Sequence, residues 1–156
     1  MSTNADLITT FYSAFQQRDA EGMVACYAPD VRFADPVFVS LIGEEARGMW
    51  RMLCARGKDL RIEFHDVQAD DRSGSARWEA WYTFSGTGRT VHNIIEARFG
   101  FANGLIATHT DTFSFYRWSR QALGPTGLLL GWTPFLAHRV HTQAMASLHR
   151  FLQGRP

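Results

Sequence analysis

The chain has 156 residues and a formal net charge of +1, with 46% hydrophobic and 20% charged residues. This length suits one domain with one hydrophobic core, and the composition is that of a globular rather than a disordered chain. So small a net charge provides no long-range field to attract nucleic acid or an anionic membrane, and we expect neither as a partner.

The first residues lack the basic and apolar regions of a secretion signal. The longest apolar run, residues 23–28, is far shorter than a membrane span, so we expect a cytoplasmic protein. Cys26 and Cys54 lie beside apolar residues in helix-like stretches, where a free cysteine behaves as a small hydrophobe. We therefore expect neither a disulfide nor a metal site from this pair.

Apolar residues at three-to-four-residue spacing predict three helices in the first part of the chain. They cover about residues 4–17, 20–28 and 43–56, with Asp19 as the cap of the second. Pro29 is expected to end that helix. A short strand over residues 31–35 lies between the second and third helices and stops at Pro36.

From Leu60 onward, apolar and polar residues alternate with a period of two, which predicts strands. Four runs at about residues 60–67, 76–84, 90–101 and 105–115 form an antiparallel meander, and Asn103-Gly104 is its strongest hairpin signal. A Gly- and Pro-containing tail follows, with a helix at about 136–152. We expect one domain, with a core at about 4–116 and a helical extension at about 117–156 that packs on it.

Four short segments carry a family resemblance: residues 11–15 (FYSAF), 18–22 (RDAEG), 33–37 (FADPV) and 103–106 (NGLI). With His109 and Asp111 beyond the last segment, they resemble the nuclear transport factor 2-like superfamily, which includes ketosteroid isomerases and SnoaL-like polyketide cyclases. The resemblance covers about residues 7–115. It implies an α+β fold in which a cone-shaped, curved antiparallel sheet and three N-terminal helices close a pocket. It also implies a homodimer formed through the outer sheet face.

Asp35 is the first candidate for catalysis. It occupies the Asp of the family's Asp-Pro-Val segment, so the resemblance implies a proton-transferring base; the alternative is that it only ends a strand. Matching the chain to the isomerases places Phe11 where they carry a tyrosine and Ala97 where they carry a protonated aspartate. The usual oxyanion donors are therefore missing.

The last strand supplies further candidates, because His109, Asp111 and Phe113 share one face by the period-two rule. Asp111 resembles the acid/base aspartate of SnoaL-like cyclases, and we expect His109 to orient it or the substrate. A two-residue hairpin loop would place Arg98 opposite His109 and Glu96 opposite Asp111 on that face. A carboxyl buried there among aromatic rings would have a raised pKa; the alternative is a charge network on a solvated face.

Large flat side chains are the candidates for substrate binding, although core packing explains each of them equally well. They are Phe11, Phe15, Trp50, Trp78, Tyr82 and Phe113. In the expected register His92 shares the face of His109 but lies too far along the ladder to share an ion, so we expect no metal and no cofactor.

The leading hypothesis is a cofactor-independent acid/base enzyme of isomerase or cyclase type. Asp35 or Asp111 would move a proton on a small apolar carbonyl or polyketide-like substrate. The alternatives are a non-catalytic small-molecule binding module and an epoxide-hydrolase-like enzyme using Asp111, Glu96 and Arg98. Without a glycine-rich phosphate loop or a Gly-x-Ser-x-Gly elbow, nucleotide and covalent-serine chemistry are disfavoured.

Overall fold

A computed structural model describes residues 3–154. The elements run in the order α1 (Asn4–Gln16), α2 (Ala20–Val24), β1 (Tyr27–Ala34), β2 (Leu41–Ile42), α3 (Glu44–Arg56), β3 (Arg61–Ala69), β4 (Ser73–Phe84), β5 (Arg89–Ala102), β6 (Leu105–Thr112), α4 (Phe115–Leu123), α5 (Pro125–Leu130) and α6 (Pro134–Leu152).

The strands form one curved, open six-stranded sheet in the order β2-β1-β6-β5-β4-β3. Strands β3 to β6 make the predicted antiparallel meander. Strand β1 joins the free edge of β6 in parallel, with Phe33 opposite His109 and Ala34 opposite Thr110. The sequence therefore predicts the α+β class and the meander correctly, and the added parallel strand makes the sheet mixed.

Helix α1 packs across the sheet and begins with a capping box. The Thr3 hydroxyl accepts from the Asp6 backbone N–H, and the Asp6 carboxylate accepts from the Thr3 N–H, so two exposed donors at the helix start are satisfied. The buried residues of the helix form its inner face: Ile8, Phe11, Tyr12 and Phe15. This face supplies much of the main hydrophobic core.

The second helix is shorter than predicted. It ends at Val24, and Pro29, which was expected to end it, lies inside β1. A proline is tolerated there because the pairing of β1 with β6 is irregular between Tyr27 and Arg32, where a ladder donor is not needed. The Asp19 cap is confirmed, since its carboxylate accepts from the Gly22 N–H. Strand β2 was not predicted.

The tail contains three helices where the sequence predicted one. The last predicted strand ends at Thr112 instead of 115, and Ser114 caps α4. A second, smaller hydrophobic cluster joins α4 and α6 to β5 through Val91, Trp118, Ala122, Leu136 and Val140. The extension therefore packs on the sheet, as predicted.

None of the helices between residues 3 and 154 is both long and apolar enough to cross a lipid bilayer.

Candidate active site

A cavity of about 830 Å³ lies between the sheet and helices α3, α4 and α6. This volume is in the range of pockets that enclose drug-sized molecules. Its wall is mostly apolar, and two carboxyl groups, Asp35 and Asp111, are part of it. The aromatic residues of the wall include Phe15, Phe33, Trp50, Trp78, Tyr82, Phe113 and Trp118.

The parallel pairing of β1 and β6 explains why the two carboxyls share the cavity. Ala34, the last residue of β1, pairs with Thr110 of β6, so the residues that follow them, Asp35 and Asp111, lie side by side on the same face. Neighbouring strands are about 5 Å apart, which places the two acids close together. Residues far apart in sequence thus form one acidic pair on an apolar wall.

Asp35 follows the end of β1, where the Asp-Pro pair turns the chain. Its Oδ1 accepts from the backbone N–H groups of Val37 (2.9 Å) and Phe38 (2.6 Å), which fix the carboxyl group. Among residues 3–154, no side chain donates to its other oxygen. Burial, helped by the nearby Asp111 charge, raises the pKa of Asp35 to about 6 against the lowering effect of these two hydrogen bonds.

Asp111 ends a buried chain of hydrogen bonds. Trp50 Nε1 donates to the Tyr27 hydroxyl (2.8 Å), which lies 2.7 Å from His109 Nδ1. His109 Nε2 lies 2.8 Å from Asp111 Oδ1, and Trp78 Nε1 donates to the same oxygen at 3.3 Å. If the Tyr27 hydroxyl donates to Nδ1, His109 is the neutral tautomer that carries its proton on Nε2, and each donor has one acceptor.

This series of hydrogen bonds fixes Asp111, although His109 itself does not reach the cavity. His109 is 0% exposed and Asp111 is 4% exposed, and only the aspartate is part of the cavity wall. The ring of His109 lies against those of Phe33, Phe99 and Trp50. His109 therefore positions Asp111, while direct contact with a ligand is left to the carboxyl.

Tyr82 brings a hydroxyl to the same wall. Its oxygen accepts from Trp118 Nε1 at 2.8 Å, which leaves its own proton available to a ligand. Burial raises the pKa of Tyr82 to about 12, and the Asp35 charge acts in the same direction. The hydroxyl therefore stays protonated near neutral pH and can donate a hydrogen bond into the cavity.

Most of the predicted substrate-binding residues line the cavity: Phe15, Trp50, Trp78, Tyr82 and Phe113. Phe11 does not. Its ring is fully buried and packs against both Tyr27 and His109, the two residues that share a hydrogen bond.

The expected placement of Arg98 and Glu96 beside His109 and Asp111 is wrong. Phe99 pairs with His109 and Ala97 with Asp111, because a β-bulge next to the hairpin shifts the register by one residue. A one-residue shift turns side chains to the opposite face. Glu96 and Arg98 are exposed on the outer face, where Glu96 pairs with Arg77 at 3.2 Å.

The same shift corrects the expectation for His92. It does not share the face of His109, because it bonds Glu79 (2.8 Å) and stacks on Trp81, away from the cavity.

Two side chains that hold the candidate site residues in place were missed from the sequence. Tyr27 was assigned to a helix, although Pro29 two residues later already argued for an extended segment. Trp118 lies on a helix that was not predicted, and a lone tryptophan gives no signal for a role in orienting Tyr82. Both act through other residues, and such roles leave no motif in sequence.

The model of the SnoaL-like domain family matches residues 8–109. The chain belongs to this family, and it shares its fold with solved nuclear transport factor 2-like proteins. The matched region includes Asp35 and His109 and ends two residues before Asp111. No significant match was found among curated proteins.

Three solved structures share the fold. A protein of unknown function from Burkholderia pseudomallei has a TM-score of 0.65 at 22% identity, covering 78% of this chain and 98% of its own. A putative polyketide cyclase from Pseudomonas putida has a TM-score of 0.64 at 21% identity, covering 78% and 99%. An LEH-like epoxide hydrolase from M. tuberculosis has a TM-score of 0.62 at 19% identity, covering 86% and 92%.

Proposed function

We propose that the chain is a cofactor-independent acid/base enzyme of isomerase or cyclase type, acting on a small apolar carbonyl or polyketide-like substrate. The observation that carries this proposal is the pair Asp35 and Asp111, both on the wall of one largely apolar cavity. Two acids in different environments on one apolar wall are a common arrangement for moving protons at neutral pH. Membership of the SnoaL-like family supports the same class of chemistry.

In the first step, the ionised carboxyl of Asp35 takes a proton from the carbon next to the substrate carbonyl. The C–H electrons form the enolate, and the negative charge develops on the carbonyl oxygen. A pKa of about 6 suits this role, because the group is mostly ionised at pH 7 and is still basic enough to accept the proton.

Tyr82 is the proposed donor to the enolate oxygen. Its oxygen already accepts from Trp118, so its proton is aimed at an acceptor in the cavity. This hydroxyl replaces the donors that Phe11 and Ala97 do not provide. The enolate is then reprotonated at another carbon by an isomerase, or attacks a second carbonyl in a cyclase.

Asp111 is the proposed partner acid/base, which delivers or removes the second proton. His109 and Trp78 hold its Oδ1, so Oδ2 is the oxygen left for the substrate. His109 acts as a positioning residue.

The proposal is tested in two stages. A thermal-shift screen of ringed ketones identifies ligands, since a compound that binds the folded state raises its melting temperature. NMR in D₂O then measures the exchange of ligand protons next to the carbonyl. The same spectra follow the overall conversion of a ligand that reacts. We expect Asp35→Asn to slow the exchange, and with it turnover, roughly a hundredfold or more. Asp111→Asn should slow turnover by a similar factor, because product formation needs the second proton. Rates unchanged in both variants would refute the proposal.

Glu96→Gln is the matched control. This carboxyl is also on the sheet but is exposed on the outer face. The variant should bind the ligand and exchange its protons at the wild-type rate.

A binding module is the second candidate, favoured by the apolar side chains at positions 11 and 97. The two functions separate in the same assay. A binding module would raise the melting temperature with a ligand but would give no exchange above the rate in buffer, in wild type or in either Asn variant.

Epoxide opening is less well supported. The sequence-based hypothesis uses Asp111, Glu96 and Arg98 for this reaction, but Glu96 and Arg98 lie on the outer face of the sheet. Asp35 and Asp111 supply two carboxyls, but Arg98 does not bridge them.

A further inference from the structure

An exposed apolar cluster, here called the apolar ridge, runs from the end of α5 to the start of α6. The exposed fractions are 54% for Leu128, 68% for Leu129, 41% for Leu130, 75% for Trp132 and 67% for Phe135. Single exposed hydrophobes are ordinary on protein surfaces, but five within eight residues form a patch of the kind that marks an interaction site.

The ridge is held in place by the helices beneath it. Gly127 packs so closely on the carbonyl of Ser119 that a Cβ atom has no room there. The Tyr116 hydroxyl donates to the carbonyl of Leu128 at 3.0 Å, and Trp132 Nε1 donates to that of Leu129 at 3.1 Å. The apolar side chains therefore project outward from a fixed backbone.

The charge of the chain is divided along the sequence. Residues 1–111 carry 11 basic and 15 acidic side chains, whereas residues 112–156 carry five arginines and no acid. The net charge of +1 is therefore the sum of −4 in residues 1–111 and +5 in residues 112–156. The small net charge hides this division, so it does not argue against binding of the C-terminal part to an anionic membrane.

Some of these arginines lie beside the ridge. Arg120 and Arg89, from the neighbouring strand β5, line a shallow depression together with Leu128. Arg139 lies one helical turn after Phe135 and lines the cavity with it. None of the ion pairs formed within residues 3–154 involves Arg89, Arg120 or Arg139. Cationic groups without acidic partners thus flank the exposed apolar side chains.

The ridge also adjoins the cavity, since Leu130 and Phe135 are exposed and at the same time part of the cavity wall. An apolar molecule leaving a surface in contact with the ridge would have a short, largely apolar path to the carboxyl pair.

We propose that the apolar ridge docks the protein on the surface of an anionic lipid bilayer. Tryptophan and leucine side chains enter the headgroup and acyl-chain boundary, and flanking arginines bind anionic headgroups. A second copy of the chain is a poorer occupant, because two ridges facing each other would bring unpaired arginines of like charge together. The docking is peripheral and independent of catalysis.

The test is sedimentation of the full chain with lipid vesicles. We expect binding to vesicles of phosphatidylcholine with about one-third phosphatidylglycerol, weaker binding to phosphatidylcholine alone, and loss of the difference at high salt. The double variant Leu129→Ser/Trp132→Ser should lower the partition coefficient roughly tenfold or more, and Arg120→Gln/Arg139→Gln should remove the preference for the anionic lipid.

Ile94→Ser is the matched control, because Ile94 is 44% exposed on the outer sheet face. It should bind vesicles as the wild type does, and circular dichroism checks that every variant is folded. Asp35→Asn should also bind normally, so a failed catalytic proposal would leave this one intact. Wild-type protein that does not sediment with anionic vesicles would overturn the docking proposal. So would light scattering that shows a dimer lost in the Leu129/Trp132 variant while vesicle binding is unchanged.

Discussion

The hydroxyl of Tyr27 lies 2.7 Å from Nδ1 of His109 in a region closed to solvent. The hydroxyl also accepts from Trp50 Nε1, so one oxygen atom connects helix α3 to strand β6. Through His109 the same chain reaches Asp111 on the cavity wall. The geometry of the proposed acid/base residue therefore depends on a tyrosine that no ligand touches.

Replacing Tyr27 with Phe should destabilise the protein. The change leaves His109 Nδ1 and Trp50 Nε1 buried without a partner, and each such group costs about 1–3 kcal/mol. We expect a loss of roughly 2–4 kcal/mol in the free energy of unfolding, measured by urea denaturation. Tyr116→Phe, which removes a hydroxyl at the exposed surface, is the control and should cost much less. Equal losses in the two variants would contradict the buried chain.

Tyr12→Phe makes the same chemical change with the opposite expected result. Tyr12 is 0% exposed, and its hydroxyl has no hydrogen-bond partner among the described residues. Removing an unsatisfied buried hydroxyl relieves a desolvation cost, so the free energy of unfolding should stay the same or rise by about 1 kcal/mol. Urea denaturation beside Tyr27→Phe makes the comparison direct. A loss of stability in Tyr12→Phe would mean that the hydroxyl has a bound partner in solution.

The stability of the protein should depend on the ionisation of Asp35. The pKa of Asp35 is about 6 in the folded protein, against the ordinary value of 3.8 that applies to the unfolded chain. Between pH 3.8 and pH 6, this carboxyl therefore binds more protons in the folded state than in the unfolded state. This contribution makes the free energy of unfolding fall as the pH rises from about 4 to about 7.

Asp35→Asn should remove that pH dependence. Its side-chain oxygen still accepts from the N–H groups of Val37 and Phe38, but no charge is buried. We expect a gain of about 1–3 kcal/mol at pH 7.5 that disappears near pH 4. Urea denaturation at both pH values measures it, with Glu96→Gln as the control for the loss of an exposed carboxyl. If the free energy of unfolding of Asp35→Asn does not rise at pH 7.5, the wild-type protein does not bury an ionised carboxyl at this position.

The sequence predicts the meander correctly and selects two acids that both lie on the cavity wall, because alternation along a strand and the Asp-Pro pair are local signals. The sheet face on which Glu96 and Arg98 lie was predicted wrongly. One extra residue at the β-bulge moves both side chains to the opposite face, and no local sequence pattern marks the bulge. The contact that completes the site, Trp118 with Tyr82, joins α4 to β4 across 36 residues. Contacts of that kind follow from packing of the whole chain, which periodicity does not describe.

Gly127→Ala tests whether the C-terminal helices shape the cavity. A Cβ atom at position 127 would overlap the backbone carbonyl of Ser119, so α5 has to move away from α4. Overpacking of this kind costs about 1–3 kcal/mol. Because α4 also carries Trp118, the shift should loosen its hydrogen bond to Tyr82 and weaken ligand binding.

Thermal unfolding and ligand-induced shifts in melting temperature measure both effects. Leu129→Ala is the control, since this residue on α5 is exposed, lies outside the cavity wall and creates no overlap when truncated. If Gly127→Ala matches Leu129→Ala in both measurements, α5 is not packed against α4 in solution. The part of the cavity wall that α5 supplies, Thr126 and Leu130, would then not be in place.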